Sequence, residues 1–381
     1  MPFMLAKTLP ALLLLGLSSL VSFVAQADPI TLTDVTGRQV VLPKPAERVI
    51  LADSRAIQAL QLVHPTKPFE SIIAWDSALK AKAPDLFTLY QNDYPELAKL
   101  PMLENAYYSD FSVEKTVGLK PDLIIFDAGV KKKLEESRVL EQLTKIGVPV
   151  VFIDFRLHPL TNTVPSIRLL GQALGNEQQT EGFLHFYQSR IDMINQRVAT
   201  LTEQQKPKVF IERHAGMTGE ECCFTYGKGS FGEFIQTAGG VNLGSALFAG
   251  KSGTINLEQL ITSKPDAYLM TGADWSSSFK ESIGVPLGYN ADAALSAQRL
   301  DKLMARNGVN VLDSIKQHRV LAVYHQYYDS PLNIFAIEAI AKFLHPELFK
   351  DLDPQADLDM VHKEFLHQPS KGLFWLAAKP Q

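Results

Sequence analysis

Short apolar runs alternate with helical segments along most of the chain. Each run holds four to six mostly aliphatic and β-branched residues, which is typical of strands buried on both faces of a parallel sheet. The predicted strands cover residues 48–52, 71–74, 123–126, 148–153, 208–212, 267–270 and 320–324. Because helical patterns separate them, the sequence predicts the α/β class with mainly parallel sheets.

Two other segments have a different pattern. Residues 30–42 alternate with period two around Thr36 and Gly37, which predicts a β-hairpin. Between residues 163 and 205 no strand pattern occurs, and apolar positions recur at helical spacing. A helix over 177–202 would be about 39 Å long. We therefore predict an N-terminal lobe at 28–160, a linking helical segment at 161–206 and a C-terminal lobe at 207–381.

A weak internal repeat supports two similar lobes. Glu114 opens a short helical pattern that ends at Lys-Pro-Asp before one predicted strand, and Glu258 does the same before another. The glutamates fall in the first helical turn, where the helix dipole favours an anion, and the proline ends each helix. Two α/β lobes that face each other leave one cleft between them.

The first 27 residues are predicted to be a secretory signal peptide. Lys7 precedes an apolar run that reaches Val24, and Ala25-Gln26-Ala27 follows as a small-x-small cleavage site. The alternative is a membrane anchor, but the run is shorter than a spanning helix requires. The mature protein is therefore expected to be exported, soluble and, in a bacterium with two membranes, periplasmic.

Composition excludes several classes of protein. The chain has 37 Lys+Arg against 41 Asp+Glu, a net charge of −4, and no basic block, so nucleic-acid binding is not expected. Its two cysteines, Cys222 and Cys223, are adjacent, which excludes a cysteine-rich zinc or iron–sulfur site. In an oxidising compartment they could form a vicinal disulfide that stiffens the 217–228 loop; the alternative is two thiols.

The order of these segments resembles helix-linked periplasmic binding proteins, which serve ABC importers of iron–siderophore complexes, haem and vitamin B12. The resemblance is carried by the opening hairpin with the strand that follows it, and by three further segments. Those segments are residues 114–122, the helix entry at 166–175, and residues 329–349. Together they span nearly all of the mature chain.

The resemblance implies two Rossmann-like lobes joined by one long α-helix, with ligand captured between them. It implies delivery to an inner-membrane permease and its ATPase rather than catalysis. Glu114 and Glu258 resemble the exposed acidic residues with which family members dock onto permease arginines. No enzyme cofactor is implied, and we expect a monomer.

Ligands of open parallel sheets bind beyond the carboxyl ends of the strands, so the candidate ligand contacts are the residues that follow each predicted strand. Arginines suit the oxygens of an anionic ligand, and aromatic side chains provide flat apolar contacts. The candidate ligand-binding residues are Arg55, Trp75, Arg156, Arg213, His214, Tyr226, Trp275, His325, Tyr327 and Tyr328. Arg156 could equally form a hinge salt bridge, both tryptophans could be packing residues, and only one of the two adjacent tyrosines should face the cleft.

Two kinds of ligand chemistry are suggested by residues of this cleft. His214 and His325 could complete the shell of a chelated iron(III), but no His-rich loop indicates a site for a bare metal ion. Gly227-Lys228-Gly229-Ser230 and Gly250-Lys251-Ser252 suggest a phosphate loop superficially, yet neither has the spacing and preceding strand of a nucleotide site.

The sequence thus predicts a solute-binding protein for a ferric siderophore. Haem, cobalamin or a metal oxyanion are alternatives within the same fold. A periplasmic hydrolase using Ser54, His325 and Asp274 is the second class, although no catalytic signature supports it.

Overall fold

The computed structural model describes Met1 and residues 28–248 and 250–379. Residues 2–27 of the predicted signal peptide lie outside the described residues, so the cleaved leader stays a prediction. Within the described part of the chain, no helix has both the length and the apolar character needed to cross a membrane.

The N-terminal lobe, here the N-lobe, is a five-stranded parallel sheet preceded by a hairpin. The hairpin pairs β1 (Ile30–Thr33) with β2 (Gln39–Leu42) and confirms the period-two prediction. The sheet has the order β5-β4-β3-β6-β7. Its strands are β3 (Val49–Leu51), β4 (Ile72–Asp76), β5 (Met102–Leu103), β6 (Leu123–Asp127) and β7 (Val150–Ile153). The helices around it are α1 (Ile57–Val63), α2 (Ala78–Lys82), α3 (Pro84–Asp93), α4 (Val113–Gly118), α5 (Lys131–Glu136) and α6 (Val139–Ile146).

Two helices connect the lobes. α7 (Pro159–Leu174) ends at Gly175, whose φ of 72° is the left-handed conformation that glycine adopts easily at a helix end. α8 (Glu177–Val198) is the long helix, and it packs against α7, α1 and the C-terminal part of the chain. It ends four residues earlier than predicted, because Thr202 and Gln205 form a capping box that starts a separate short turn.

The C-terminal lobe, here the C-lobe, has a mixed sheet of order β11-β9-β8-β12-β14-β16, with β10 paired to β8. Its strands are β8 (Lys208–Glu212), β9 (Phe224–Tyr226), β10 (Val241–Asn242), β11 (Ser252–Thr254), β12 (Ala267–Gly272), β14 (Val320–Tyr324) and β16 (Trp375–Ala377). β13 (Gly288–Tyr289) and β15 (Gly372–Leu373) form a separate pair. The central strands β8, β12 and β14 are parallel, whereas β9, β11 and β16 add antiparallel pairs at the edges.

The helices of the C-lobe cover this sheet and reach back to the N-lobe. They are α9 (Phe231–Thr237), α10 (Leu243–Leu247), α11 (Leu257–Ser263), α12 (Ala293–Met304), α13 (Asp313–Lys316), α14 (Ile334–Leu344) and α15 (Pro354–Val361). A π-helical turn, His362–Leu366, follows α15 and packs against α1. One apolar core extends through both lobes and the connecting helices. The two-lobed α/β prediction is confirmed.

Buried polar contacts also join the lobes. Gln58 of α1 donates to the Tyr289 hydroxyl at 2.7 Å, and the Tyr324 hydroxyl donates to Asp85 of α3 at 2.6 Å. Because an unpartnered buried polar group is costly, each contact favours this arrangement of the lobes over a separated one. The carboxyl ends of the parallel strands in both sheets consequently face one cleft.

Candidate ligand-binding site

Two cavities lie in this cleft and share Arg213 and Tyr328. We call them the basic chamber and the histidine chamber. The basic chamber, about 200 Å³, is lined by Arg156, Leu157, Arg213, Tyr226, Lys228, Gly229, Ser230, Lys251, Ser252 and Tyr328. The histidine chamber, about 240 Å³, is lined by Ala81, Lys82, Pro84, Tyr108, Arg213, His214, Met217, Asp274, Trp275, Ser277, Ser278, Phe279, His325, Gln326 and Tyr328. Residues from both lobes line each chamber.

The basic chamber concentrates positive charge. Four cationic side chains line it, namely Arg156, Arg213, Lys228 and Lys251, and none of its lining residues in the described chain carries a carboxylate. Partial burial lowers the pKa of Lys251, and the charge of Arg156 lowers it further. Such a cavity favours a ligand that brings negative charge.

Aromatic rings hold the two guanidinium groups in position. Arg213 Cζ lies 5.0 Å from the ring centres of both Phe224 and Tyr226, and its Nη1 donates to Ser252 Oγ at 3.3 Å. Arg156 Cζ lies 4.1 Å from the ring centre of Tyr107. Stacking of this kind restrains a guanidinium while leaving its N–H groups available to a ligand.

Arg156 is only loosely paired with an acid. Its Nη2 lies 3.7 Å from Asp127 Oδ1, beyond a normal hydrogen bond, and its side chain is 22% exposed. The salt bridge that the sequence offers as an alternative role for Arg156 is thus a long contact, and the same guanidinium also lines the basic chamber.

The histidine chamber is built around a pair of imidazoles. His214 follows β8 and His325 follows β14, and their Nε2 atoms lie 3.1 Å apart. Thr271, near the end of β12, accepts from the His214 backbone N–H at 2.9 Å, and its Oγ1 lies 3.1 Å from His325 Nδ1. At this separation one Nε2 donates and the other accepts, so the accepting imidazole is neutral.

Burial and neighbouring cations keep both imidazoles neutral. Burial lowers the pKa of His214 to about 3, with Arg213 and Lys82 adding to the effect. Burial also lowers the pKa of His325 well below its usual range, and the neighbouring His214 lowers this pKa further. Neutral imidazole nitrogens are the form that ligates a metal. Trp275 lies against both rings, with ring centres 5.8 Å from His214 and 5.7 Å from His325.

Two residues of the site have left-handed backbones although neither is glycine. His214 has φ of 58° and Ser230 has φ of 49°. Non-glycine residues rarely adopt this region, and such residues concentrate at ligand sites. His214 lies at the start of the loop after β8, and Ser230 immediately precedes α9.

Two of the predicted ligand residues, Arg55 and Trp75, do not line either chamber. Arg55 does not line either chamber, because its guanidinium pairs with Asp53 and Asp329 and is only 5% exposed. β4 runs two residues further than predicted, so Trp75 lies within the strand and packs against Phe87 in the N-lobe. The geometry therefore gives neither residue a direct contact with ligand.

Only one of the two adjacent tyrosines faces the cleft, as predicted, but the premise of an extended backbone is wrong because His325–Asp329 form a 3₁₀ turn. Tyr328 lines both chambers, and its ring lies 4.7 Å from that of His325. Tyr327 instead packs against Tyr324, Phe335 and Phe374 in the interior. Tyr327 therefore does not contact the cleft.

The predicted docking and cysteine residues lie outside both chambers. Glu114 and Glu258 are exposed in the first turns of α4 and α11, which are capped by Ser112 and Asn256. Cys222 and Cys223 are joined by a disulfide in this structure, at the end of the loop that begins with Arg213 and His214. Their redox state in the protein stays a prediction.

Several lining residues could not be found from strand ends. Lys82, Tyr108 and Phe279 reach the histidine chamber from helices and loops, and Lys228, Ser230 and Lys251 reach the basic chamber. Of these residues, only Lys228, Ser230 and Lys251 lie in segments with a sequence signal, namely the two glycine–lysine segments that superficially resemble a phosphate loop.

A groove of about 560 Å³ at the opposite edge of the C-lobe sheet also contains basic residues. Its arginine and one of its lysines already have partners, since Arg319 Nε donates to Asp266 O and Lys208 Nζ to Ser263 O. The groove lies at the amino ends of the strands, so we place the ligand site in the cleft instead.

The fold and the cleft define a class of protein, namely binding proteins that hold a ligand between two α/β lobes. Residues 65–327 match the family described as periplasmic binding protein, and the chain belongs to that family. A relative in Bacillus subtilis strain 168, the uncharacterized ABC transporter substrate-binding lipoprotein YvrC, is 21% identical over 328 residues, 85% of this chain and 88% of YvrC.

Solved structures of similar proteins have the same fold as this chain. The TroA-like periplasmic binding protein FepB from Veillonella parvula is 29% identical with a TM-score of 0.84, covering 92% of this chain and 100% of that one. The molybdate-bound MolA of Haemophilus influenzae is 16% identical with a TM-score of 0.66, covering 90% of this chain and 99% of that one.

Proposed function

We propose that this periplasmic substrate-binding component of an ABC transporter captures a ferric siderophore in the interlobe cleft and delivers it to the inner-membrane permease and its ATPase. The observation that carries the proposal is the pairing of the two chambers. A cavity with four cationic side chains adjoins one with two neutral imidazoles and a tryptophan.

The chemistry of a ferric chelate suits both chambers. Its anionic oxygens would accept from Arg156 and Arg213, whose N–H groups favour charged oxygen acceptors. Its organic arms would contact Trp275 and Tyr328, which are buried aromatic side chains. A neutral Nε2 of His214 or His325 could occupy a coordination position that the chelator leaves open on the iron.

The contacts between the lobes favour capture without a large domain rearrangement. The lobes share an apolar core and the buried hydrogen bonds of Gln58 and Asp85. Opening the cleft widely would expose these groups to water. We therefore expect binding to shift side chains and loops more than whole lobes.

The test is tryptophan fluorescence of the mature protein, titrated separately with ferric catecholate, hydroxamate and citrate chelates, haem and cobalamin. We expect saturable quenching at submicromolar concentration by one iron chelate class. Arg213→Gln should weaken that binding at least tenfold, which corresponds to about 1.4 kcal/mol. Arg299→Gln, on α12 outside both chambers, is the matched control. Binding of haem or cobalamin alone, or of no compound by folded protein, would refute the siderophore assignment.

A further inference from the structure

We propose that the basic chamber contains a separate site for a compact oxyanion of carboxylate, phosphate or sulfate type, held by Lys228, Lys251, Tyr226 and Ser230. This site adds an anion contact to the proposed function. It rests on the proposed function only in where the oxyanion comes from. That source is either a free anion or a pendant acidic group of the captured chelate.

The two glycine–lysine segments of the sequence meet at this site. Gly227 N–H donates to Lys251 O at 2.8 Å, and Lys228 N–H donates to Gly250 O at 3.1 Å. These bonds continue the β9–β11 pairing beyond the strands. A Cβ on Gly227 would overlap the Gly250 carbonyl oxygen, so only glycine permits the close approach. The pairing brings Lys228 and Lys251 to the same cavity.

Two buried hydroxyl groups in the chamber have no protein partner. The Tyr226 hydroxyl and Ser230 Oγ make no hydrogen bond to any residue that the structure describes. Tyr226 is 2% exposed and Ser230 is 7% exposed. A buried hydroxyl without a partner is costly, and an oxyanion accepting from both would remove that cost.

The shape of the chamber separates this site from the histidines. Arg213 and Tyr328 stand between the two cavities, since both line each of them. The hydroxyls and lysines lie on the β9–β11 side, whereas the imidazoles follow β8 and β14. A cavity of about 200 Å³ with four cations and two hydroxyl donors fits a compact, highly charged group better than the body of a large chelate.

The first experiment measures binding of inorganic phosphate, sulfate and citrate to the mature protein by calorimetry and thermal unfolding. Sodium chloride at equal ionic strength controls for screening. We expect saturable binding of at least one oxyanion and a rise of about 3 °C or more in Tm at saturation. Lys228→Gln with Lys251→Gln should weaken that binding at least tenfold, and because both side chains are exposed the variant should fold normally. Lys302→Gln, exposed on α12, is the control.

Tyr226→Phe tests the buried hydroxyl itself. Without an oxyanion this variant should be at least as stable as the wild type, since the hydroxyl it lacks is buried with no partner in the described chain. With an oxyanion present it should lose most of the gain in Tm. Tyr327→Phe removes a second buried, unpartnered hydroxyl outside the chamber and should keep the full gain.

The source of the oxyanion is decided by competition between phosphate and the chelate that quenches tryptophan fluorescence. If the chelate displaces phosphate, its own acidic group occupies the site; if both bind together, the site takes a free anion. Absence of oxyanion binding, or binding unchanged in the lysine double variant, would overturn the proposal. Oxyanion binding without any chelate binding would instead leave this site standing and refute the proposed function.

Discussion

Nη1 of Arg55 lies 2.8 Å from Oδ2 of Asp329, and this buried pair joins the N-lobe to the C-lobe. Arg55 Nε also donates to Asp53 Oδ1 at 2.9 Å, so one guanidinium serves two buried carboxylates. Arg55, which follows β3 in the sequence, therefore links the two lobes and does not line the ligand cleft. Burial raises the pKa of Asp329 to about 6, an effect that the charge of Arg55 opposes.

Arg55→Met is expected to destabilise the protein strongly. Removing the guanidinium leaves Asp53 and Asp329 buried without their cation, which typically costs about 3–5 kcal/mol. Urea unfolding at pH 7 measures the loss. Lowering the pH to 5 should reduce this loss, because the unpaired carboxylate of Asp329, whose pKa is raised by burial, can take up a proton. Arg168→Met, whose partner Glu181 is exposed, should change stability by about 1 kcal/mol or less. Equal effects of the two substitutions would contradict the role of Arg55.

The histidine pair should make stability fall in mild acid. Because the pKa of His214 is lowered to about 3 in the folded state and is near 6.5 when unfolded, protons bind preferentially to the unfolded chain. Stability is therefore lost as the pH falls from 6.5 towards 3, by about 2 kcal/mol at pH 5 for each such histidine. The pKa of His325 is lowered in the same direction.

Urea unfolding at pH 7 and pH 5 tests this dependence. His214→Gln with His325→Gln should show a smaller loss between the two pH values than the wild type. His185→Gln, an exposed substitution on α8, should leave the loss unchanged. A double variant with wild-type pH dependence would show that the imidazoles are not held neutral by the fold.

Ligand should quench Trp275 and leave Trp75 almost unaffected. Trp275 lines the histidine chamber, whereas Trp75 packs against Phe87 inside the N-lobe. Trp275→Phe is expected to remove most of the ligand-dependent quenching, and Trp75→Phe should retain it. Fluorescence titration with the same chelate for both variants gives the comparison. Loss of quenching in Trp75→Phe alone would place the ligand against the N-lobe instead.

The sequence predicted the central strands well because burial on both faces leaves a continuous apolar run. β8 and β14 have the predicted bounds. The strands β9, β11 and β16 were missed because they are three residues long and pair antiparallel at or near sheet edges. A segment of three residues is too short to show the alternation of apolar and polar positions that predicts a strand.

The site residues, like the strands, could be predicted only where a local sequence pattern indicates them. Arg213, His214 and His325 were found because parallel strands end at a common edge, which is a property of local sequence and topology. Lys228 and Lys251 could not be predicted in the same way. They are brought together by the pairing of β9 with β11, which no local sequence pattern indicates. The sequence wrongly predicts a ligand contact for Arg55, because its acidic partner Asp329 lies 274 positions away and is brought close only by folding.

Cys222 and Cys223 should resist alkylation until a reductant is added. A disulfide between these consecutive residues would stiffen the end of the loop that begins at Arg213 and His214, just before β9. Mass spectrometry of the native protein after iodoacetamide treatment, with and without dithiothreitol, measures how many thiols react. Two modified thiols appearing only after reduction is the expected result. Full alkylation without reductant would show two thiols instead.

Glu114→Lys combined with Glu258→Lys should abolish transport while ligand affinity stays unchanged. α4 and α11 each run back to the amino end of the next strand, so their first turns lie at the same edge of the sheets as the cleft. Both glutamates are exposed there and could contact arginines of a permease while the cleft faces it. Reversing both charges would replace attraction by repulsion.

Uptake of the bound chelate by cells, measured beside fluorescence titration of the purified variant, separates docking from binding. Glu96→Lys with Glu347→Lys makes the same change in net charge at two other exposed sites, so it controls for charge alone. This control should transport normally. Normal uptake by the Glu114→Lys, Glu258→Lys variant would exclude these residues from docking, whereas a parallel loss of ligand affinity would show that the substitutions damage the cleft rather than the contact with the permease.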